Sequence, residues 1–229
     1  YYVIRNGSAM VAFRVPKGMF GGFQIVASHS DAPCLKLKEN PELWSEQAYV
    51  RLNVEKYGGM ICSTWFDRPL SVAGRLLVKS EEGVAVKLVQ IDKDLLMLPS
   101  LAIHMNRDIN TGYDYHAQKD MLPLYGMGTK GEKESFMDRI AREADVKEED
   151  ILGSDLYVYN RMPGSVWGSE DEFISIGKLD DLECVYSSMT SFLSAEEHDR
   201  IPVHCVYDNE EVGSSTRQGA ASTFLADTL

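Results

Sequence analysis

The 229-residue sequence lacks any apolar run of about 18 residues, so no transmembrane helix is predicted. It also lacks a basic stretch, and its net charge of −12 disfavours nucleic acids and anionic membranes as partners. No signal-peptide pattern is found at the start. Cysteine is scarce and forms no CxxC pair, which argues against a zinc ribbon or a disulfide framework. A reducing cytoplasm is therefore the expected location.

The remaining composition is typical of a soluble globular protein. Hydrophobic residues make up 44% of the chain and charged residues 25%. The length suits one large domain or two smaller ones with a substantial core. The acidic balance by itself indicates a solvated surface.

The first segment predicts strands. Residues 1–5 and 10–15 form two apolar runs around an Asn6-Gly7 turn, the pattern of a β-hairpin. Residues 23–28 form a short apolar run of the kind found in buried strands. This run ends at His29, and the carboxyl ends of strands are where α/β sheets usually carry their binding and catalytic residues.

The middle of the chain predicts a β-rich inserted domain, and the α/β pattern returns after Gly168. The predicted domains are a first catalytic part at 1–34, the insertion at 35–168 and a second, incomplete catalytic part at 169–229. The insertion has predicted strands at 49–54, 74–78, 84–89 and 155–159 and one helix at 133–149. The second catalytic part has predicted strands at 173–177 and 201–207, a helix at 180–193 and a helix start at 222–229.

Two polar motifs follow apolar strands and have two interpretations each. His29 is either a hydrogen-bonded structural residue or a metal ligand whose second ring nitrogen is fixed by Asp31. Asp180 and Asp181 are either a helix N-cap with a first-turn acid, or include a carboxylate that bridges two cations.

The third motif is the pair Glu210-Glu211, which is either a solvated acidic loop or part of a metal site. At a partly desolvated sheet edge the two carboxylates repel, and a metal bound to one of them offsets that repulsion. The other is then available as a general base. Together the three motifs supply nitrogen and oxygen ligands suited to Zn²⁺ and related ions, which indicates a hydrolytic metal site.

Residues 27–35, 177–182 and 208–214 resemble the three motifs of the aspartyl aminopeptidase family. Further similarity at 1–7 and 101–107 extends the resemblance over nearly the whole chain. It implies an α/β fold: a three-layer α/β/α metallopeptidase domain interrupted by a β-rich dimerisation domain.

The resemblance also implies a role for each site residue. His29 corresponds to a terminal ligand of one metal, with Asp31 as its orienting partner. Asp180 corresponds to the carboxylate that bridges the metals, and Glu211 to a ligand of the second metal. The implied cofactors are two divalent ions, with Zn²⁺ expected.

The implied catalytic residues are Glu210, as general base, and His104, which in the family reaches the active site of a neighbouring subunit. From its sequence context alone, His104 could equally be a structural histidine. The implied reaction removes N-terminal Asp or Glu from peptides, and the implied assembly is a homo-oligomer in which dimers build a dodecamer.

The sequence departs from the family pattern in one respect, which leaves alternatives to the implied function open. Family members complete their metal sites with a further Asp and a further His downstream of the Glu-Glu pair, whereas this sequence ends at Leu229 without a match to either. The sequence is therefore expected to be a fragment that is inactive by itself. The alternatives are a related two-metal aminopeptidase of other specificity, or a truncated, inactive homologue that serves as an assembly module.

Overall fold

A computed structural model describes residues 1–46, 48–132, 134–196 and 199–229. The chain divides into two compact units: unit 1 comprises Tyr1–Pro33 and Gly164–Leu229, and unit 2 comprises Cys34–Pro163. Among the helices of these described residues, none has the length and apolar character needed to cross a membrane.

The described residues form twelve strands and three α-helices. In chain order they are β1 (Tyr2–Arg5), β2 (Ala9–Phe13), β3 (Phe23–His29), β4 (Cys34–Ser45), β5 (Tyr49–Tyr57), β6 (Leu70–Ser80), β7 (Gly83–Gln90), β8 (Leu124–Met127), α1 (Phe136–Glu143), β9 (Ile151–Asn160), β10 (Ser165–Trp167), β11 (Phe173–Ser175), α2 (Leu179–Ser194), β12 (Ile201–Tyr207) and α3 (Phe224–Thr228).

Unit 1 is built on a four-stranded sheet in the order β1-β2-β12-β3. The predicted hairpin is confirmed: β1 pairs antiparallel with β2, and Asn6 and Gly7 both have positive φ in the turn between them. β12 pairs antiparallel with β2 and parallel with β3. The short strands β10 and β11 form a separate antiparallel pair.

Helices lie on both faces of this sheet. His204 of β12 meets Ser188 of α2, whereas the next residue, Cys205, belongs to the core cluster that contains Phe224 of α3. Successive residues of a strand point to opposite faces, so α2 and α3 cover different sides. The predicted α/β class is confirmed.

The burial predicted for β3 is wrong. Its apolar residues Phe23, Ile25 and Val26 are each more than 40% exposed. Among the described residues β3 pairs only with β12, so its side chains have strand neighbours on one side alone.

Unit 2 is a six-stranded antiparallel sheet in the order β7-β6-β9-β4-β5-β8. Its core includes Leu35, Leu52 and Leu76 from the sheet, with Phe136 and Ile140 from α1. β4 was not predicted, because charged residues and a proline break its apolar pattern. The structure accommodates them where the pairing of β4 with β5 shifts register, between Leu37 and Glu42.

The helix predicted over 133–149 is shorter in the structure, and Lys133 lies outside the described residues. Ser135 and Asp138 form a reciprocal capping box that starts α1 after Ser135. The helix ends at Glu143, and Asp145 follows with positive φ. The acidic residues at 148–150 form a separate 3-10 turn. The predicted helix was inferred from a stretch dense in charged residues, and that pattern did not indicate the end of the helix at Glu143.

Candidate metal centre

The three polar motifs lie together at the carboxyl ends of β3 and β12 in the unit 1 sheet. β3 and β12 are parallel with Tyr207 opposite His29, so their carboxyl ends coincide. His29 is the last residue of β3, and Glu210 begins a 3-10 turn shortly after β12. Asp180 lies in the first turn of α2, where its backbone is not helical.

The chain around the Glu-Glu turn is held by local contacts. Asn209 and Gly213 flank the turn, and both adopt the left-handed conformation. The side-chain oxygen Oδ1 of Asn209 accepts hydrogen bonds from Thr216 Oγ1 at 2.7 Å and Gln218 Nε2 at 2.8 Å. These contacts fix Asn209, the residue that precedes both glutamates.

The His29 imidazole lies at the centre of the cluster. Its Nε2 is 3.3 Å from Asp180 Oδ1 and 4.0 Å from Glu210 Oε2. One potential ligand atom from each of His29, Glu210 and Glu211 can be chosen so that all three lie within 4.8 Å of one another. Such separations allow a shared divalent ion.

Asp31 contacts both the imidazole and the Glu-Glu turn. His29 Nδ1 is 3.1 Å from the backbone oxygen of Asp31 and 3.3 Å from its Oδ1. A proton on Nδ1 would leave Nε2 available as a metal ligand. The Asp31 carboxylate also accepts the backbone N–H groups of Glu210 at 3.1 Å and Glu211 at 3.2 Å.

The electrostatics of the cluster are strongly negative. Burial lowers the pKa of His29, but the carboxylates of Asp181, Asp31 and Glu210 outweigh it, so the net shift is upward. Burial raises the pKa of Glu211, and the neighbouring carboxylates of Glu210 and Asp31 raise it further. The concentrated negative charge therefore favours the protonated forms of both His29 and Glu211.

The donor set fits a divalent cation. Across the described residues, no Lys or Arg forms an ion pair with Asp180, Asp181, Glu210 or Glu211. A cation would balance these carboxylates, and imidazole nitrogen with carboxylate oxygen is a ligand mix that Zn²⁺ accepts.

His104 is exposed in the 3-10 turn Ile103–Met105 of unit 2, and its catalytic role stays a prediction.

The sequence named Asp181 only together with Asp180, as a pair of acids at a helix start, and predicted no contact with His29 for it. In the structure Asp181 Oδ2 accepts the backbone N–H of His29 at 3.0 Å. The available signal was its position beside Asp180, but a pair of acids at a helix start does not reveal which one faces the strand.

Comparison with known proteins places this geometry in a family. A "Probable M18 family aminopeptidase 2" from Clostridium novyi (strain NT) is 46% identical over 235 aligned residues, and one from Pseudomonas aeruginosa (strain LESB58) is 35% identical. Both alignments cover all of this chain and 54% of the relative. The chain thus spans about half the length of these curated relatives.

Solved structures agree. The chain superposes on Chaetomium thermophilum mApe1 with a TM-score of 0.89 and 30% identity, covering 100% of this chain and 55% of that one. The "S. cerevesiae mApe1 dodecamer" gives a TM-score of 0.80 at 29% identity, with 99% and 53% covered. The family described as "Aminopeptidase I zinc metalloprotease (M18)" matches residues 1–229. Since the match runs from the first residue to the last, the chain belongs to the M18 peptidase family.

Proposed function

We propose that the protein carrying this chain is a metal-dependent aminopeptidase that removes N-terminal residues, preferably Asp or Glu, from peptides. The observation that carries the proposal is the convergence of His29, Glu210 and Glu211 within 4.8 Å at the carboxyl edge of a sheet. Because the chain spans about half of its curated relatives, the activity is proposed for the whole protein.

In this proposal His29, Asp180 and Glu211 would hold two divalent ions, Zn²⁺ by expectation. Asp180 is suited to this because its carboxylate oxygen Oδ1 lies 3.3 Å from His29 Nε2 while its side chain is 89% exposed and so accessible to an ion. When bound, such ions supply Lewis acidity that polarises the scissile carbonyl and lowers the pKa of water.

Glu210 is the proposed general base. Its side chain is half exposed, whereas its neighbour Glu211 is partly buried, so the two glutamates occupy different environments. Glu210 takes a proton from the attacking water and delivers it to the leaving amine. His104, supplied by a neighbouring subunit, would donate a hydrogen bond to the oxyanion that develops on the carbonyl.

Specificity and assembly rest on the family resemblance. The resemblance favours acidic N-terminal residues, and a related aminopeptidase of other specificity is the first alternative. The name of one similar solved structure, the mApe1 dodecamer, supports a homo-oligomer. The second alternative is an assembly module without activity. The cytoplasmic location also stays a prediction.

The test is to purify the natural protein that carries this chain, measure its zinc content, and assay a panel of aminoacyl p-nitroanilides that includes Asp, Glu, Leu and Ala. We expect bound zinc, highest kcat/KM on Asp or Glu, and activity that is lost with a chelator and restored by Zn²⁺. Preference for Leu would overturn only the specificity. A protein without bound metal or peptidase activity would support the assembly module instead.

A further inference from the structure

The two adjacent acids at the start of α2 lie in different environments. The Asp180 side chain is 89% exposed and that of Asp181 only 15% exposed. Asp181 Oδ2 accepts the backbone N–H of His29 at 3.0 Å. Asp180 is therefore the nearer acid to the imidazole, with 3.3 Å between its Oδ1 and His29 Nε2 against 4.0 Å for Asp181 Oδ2, and only Asp181 also accepts from the main chain of His29.

The backbone N–H of His29 needs such an acceptor because of its place in the sheet. The next N–H along the chain, that of Ser30, donates to Tyr207 O of β12 at 2.9 Å. Successive N–H groups of a strand point to opposite sides, so the His29 N–H points away from β12. On that side the Asp181 carboxylate accepts it.

We propose that Asp181 is a positioning residue that fixes the end of β3, so that the His29 imidazole is held where a metal shared with the Glu-Glu turn can bind. The inference rests on the proposed function, since it assumes that His29 binds the metal. In this role Asp181 connects the His29 motif to the start of α2, just as Asp31 connects the His29 motif to the Glu-Glu turn.

Two substitutions in the natural protein separate the hydrogen bond from the charge. Asp181→Asn keeps an oxygen that can accept the His29 N–H, whereas Asp181→Ala removes it. Glu183→Ala is the matched control, because Glu183 is an exposed acid in the same first turns of α2. The primary measurement is the zinc dissociation constant, obtained by competition with a chromogenic chelator. The second is amide hydrogen exchange of the peptide that contains His29, measured without metal.

We expect Asp181→Ala to weaken zinc binding by about 10–100-fold, as for other residues that orient a ligand, and to speed exchange at His29. Asp181→Asn and Glu183→Ala should remain close to the unaltered protein in both measurements. Equal zinc affinity in Asp181→Ala would overturn the role. So would an Asn variant as weak as the Ala variant, because charge or direct ligation would then explain the effect. If the unaltered protein binds no zinc, the proposed function is wrong and this role is overturned with it.

Discussion

Asp31 accepts the backbone N–H of Glu210 at 3.1 Å although 178 residues separate them in the sequence. The same carboxylate accepts the N–H of Glu211 and lies beside His29 Nδ1. One acid therefore fixes both a candidate ligand and the turn that carries the candidate base. The sequence predicted only its contact with the histidine.

This dual contact predicts a large effect of substitution at Asp31. Asp31→Ala removes the acceptor for two N–H groups and should weaken zinc binding by about 10–100-fold. Asp31→Asn retains one acceptor oxygen, so its effect should be smaller. Chelator competition measures both variants, with Glu183→Ala as an exposed acid control. An Ala variant with unchanged affinity would show that the turn holds its position without Asp31.

The two glutamates of the turn should respond differently to the same substitution. Glu210→Gln should lower kcat by at least about 10²-fold, because the proton acceptor is lost, and leave the zinc content unchanged. Glu211→Gln should lower the zinc content itself, because a ligand becomes neutral. Elemental analysis and steady-state kinetics on both variants separate the roles. Turnover that survives in Glu210→Gln would remove Glu210 from the role of base.

Gly74 in β6 should not tolerate a side chain. A Cβ at this position would lie 2.0 Å from the backbone oxygen of Asp155 on the neighbouring strand, and backbone cannot rotate away as a side chain can. Gly74→Ala should lower the free energy of unfolding by about 1–3 kcal/mol or more. Gly126→Ala in β8 is the control, since a Cβ there meets open space. Urea unfolding midpoints compare the two; equal midpoints would contradict the predicted clash.

The buried His204 should make unit 1 sensitive to acid. Its ring is fully buried, with Nε2 2.8 Å from Ser188 Oγ, and burial lowers its pKa in the folded chain. Below pH 6.5 the unfolded chain binds a proton that the folded chain does not, so stability falls as pH drops towards the folded pKa. The loss is about 1.4 kcal/mol for each pH unit in that window.

A substitution isolates this contribution. In His204→Leu the acid-dependent loss should shrink relative to the unaltered protein, even if the variant is less stable at pH 8 because the hydrogen bond between His204 Nε2 and Ser188 Oγ is lost. Urea unfolding at several pH values between 5 and 8 gives the comparison. Parallel curves for His204→Leu and the unaltered protein would contradict the prediction.

Local pattern was sufficient for much of the fold. The β1–β2 hairpin follows from Asn6-Gly7 between apolar runs, and β12 was predicted with its observed bounds because residues 201–207 are apolar apart from His204. The prediction did not extend to β4 or the early end of α1. In both places long-range pairing or a cap decides the structure, and neither leaves a strong signal in neighbouring residues.

By itself, the sequence determined which residue types are available for chemistry and which segments are strands that bring them to an edge. The chemistry of His, Asp and Glu side chains and the period of apolar residues are local properties, so His29, the Asp180-Asp181 pair and the Glu-Glu pair could be named from them. Only the tertiary structure decided which of the two aspartates lies nearer the imidazole and which also accepts from the main chain of His29. That choice depends on the register of β3 against β12 and on the non-helical start of α2, because a hydrogen bond between residues 152 positions apart exists only after the sheet has formed.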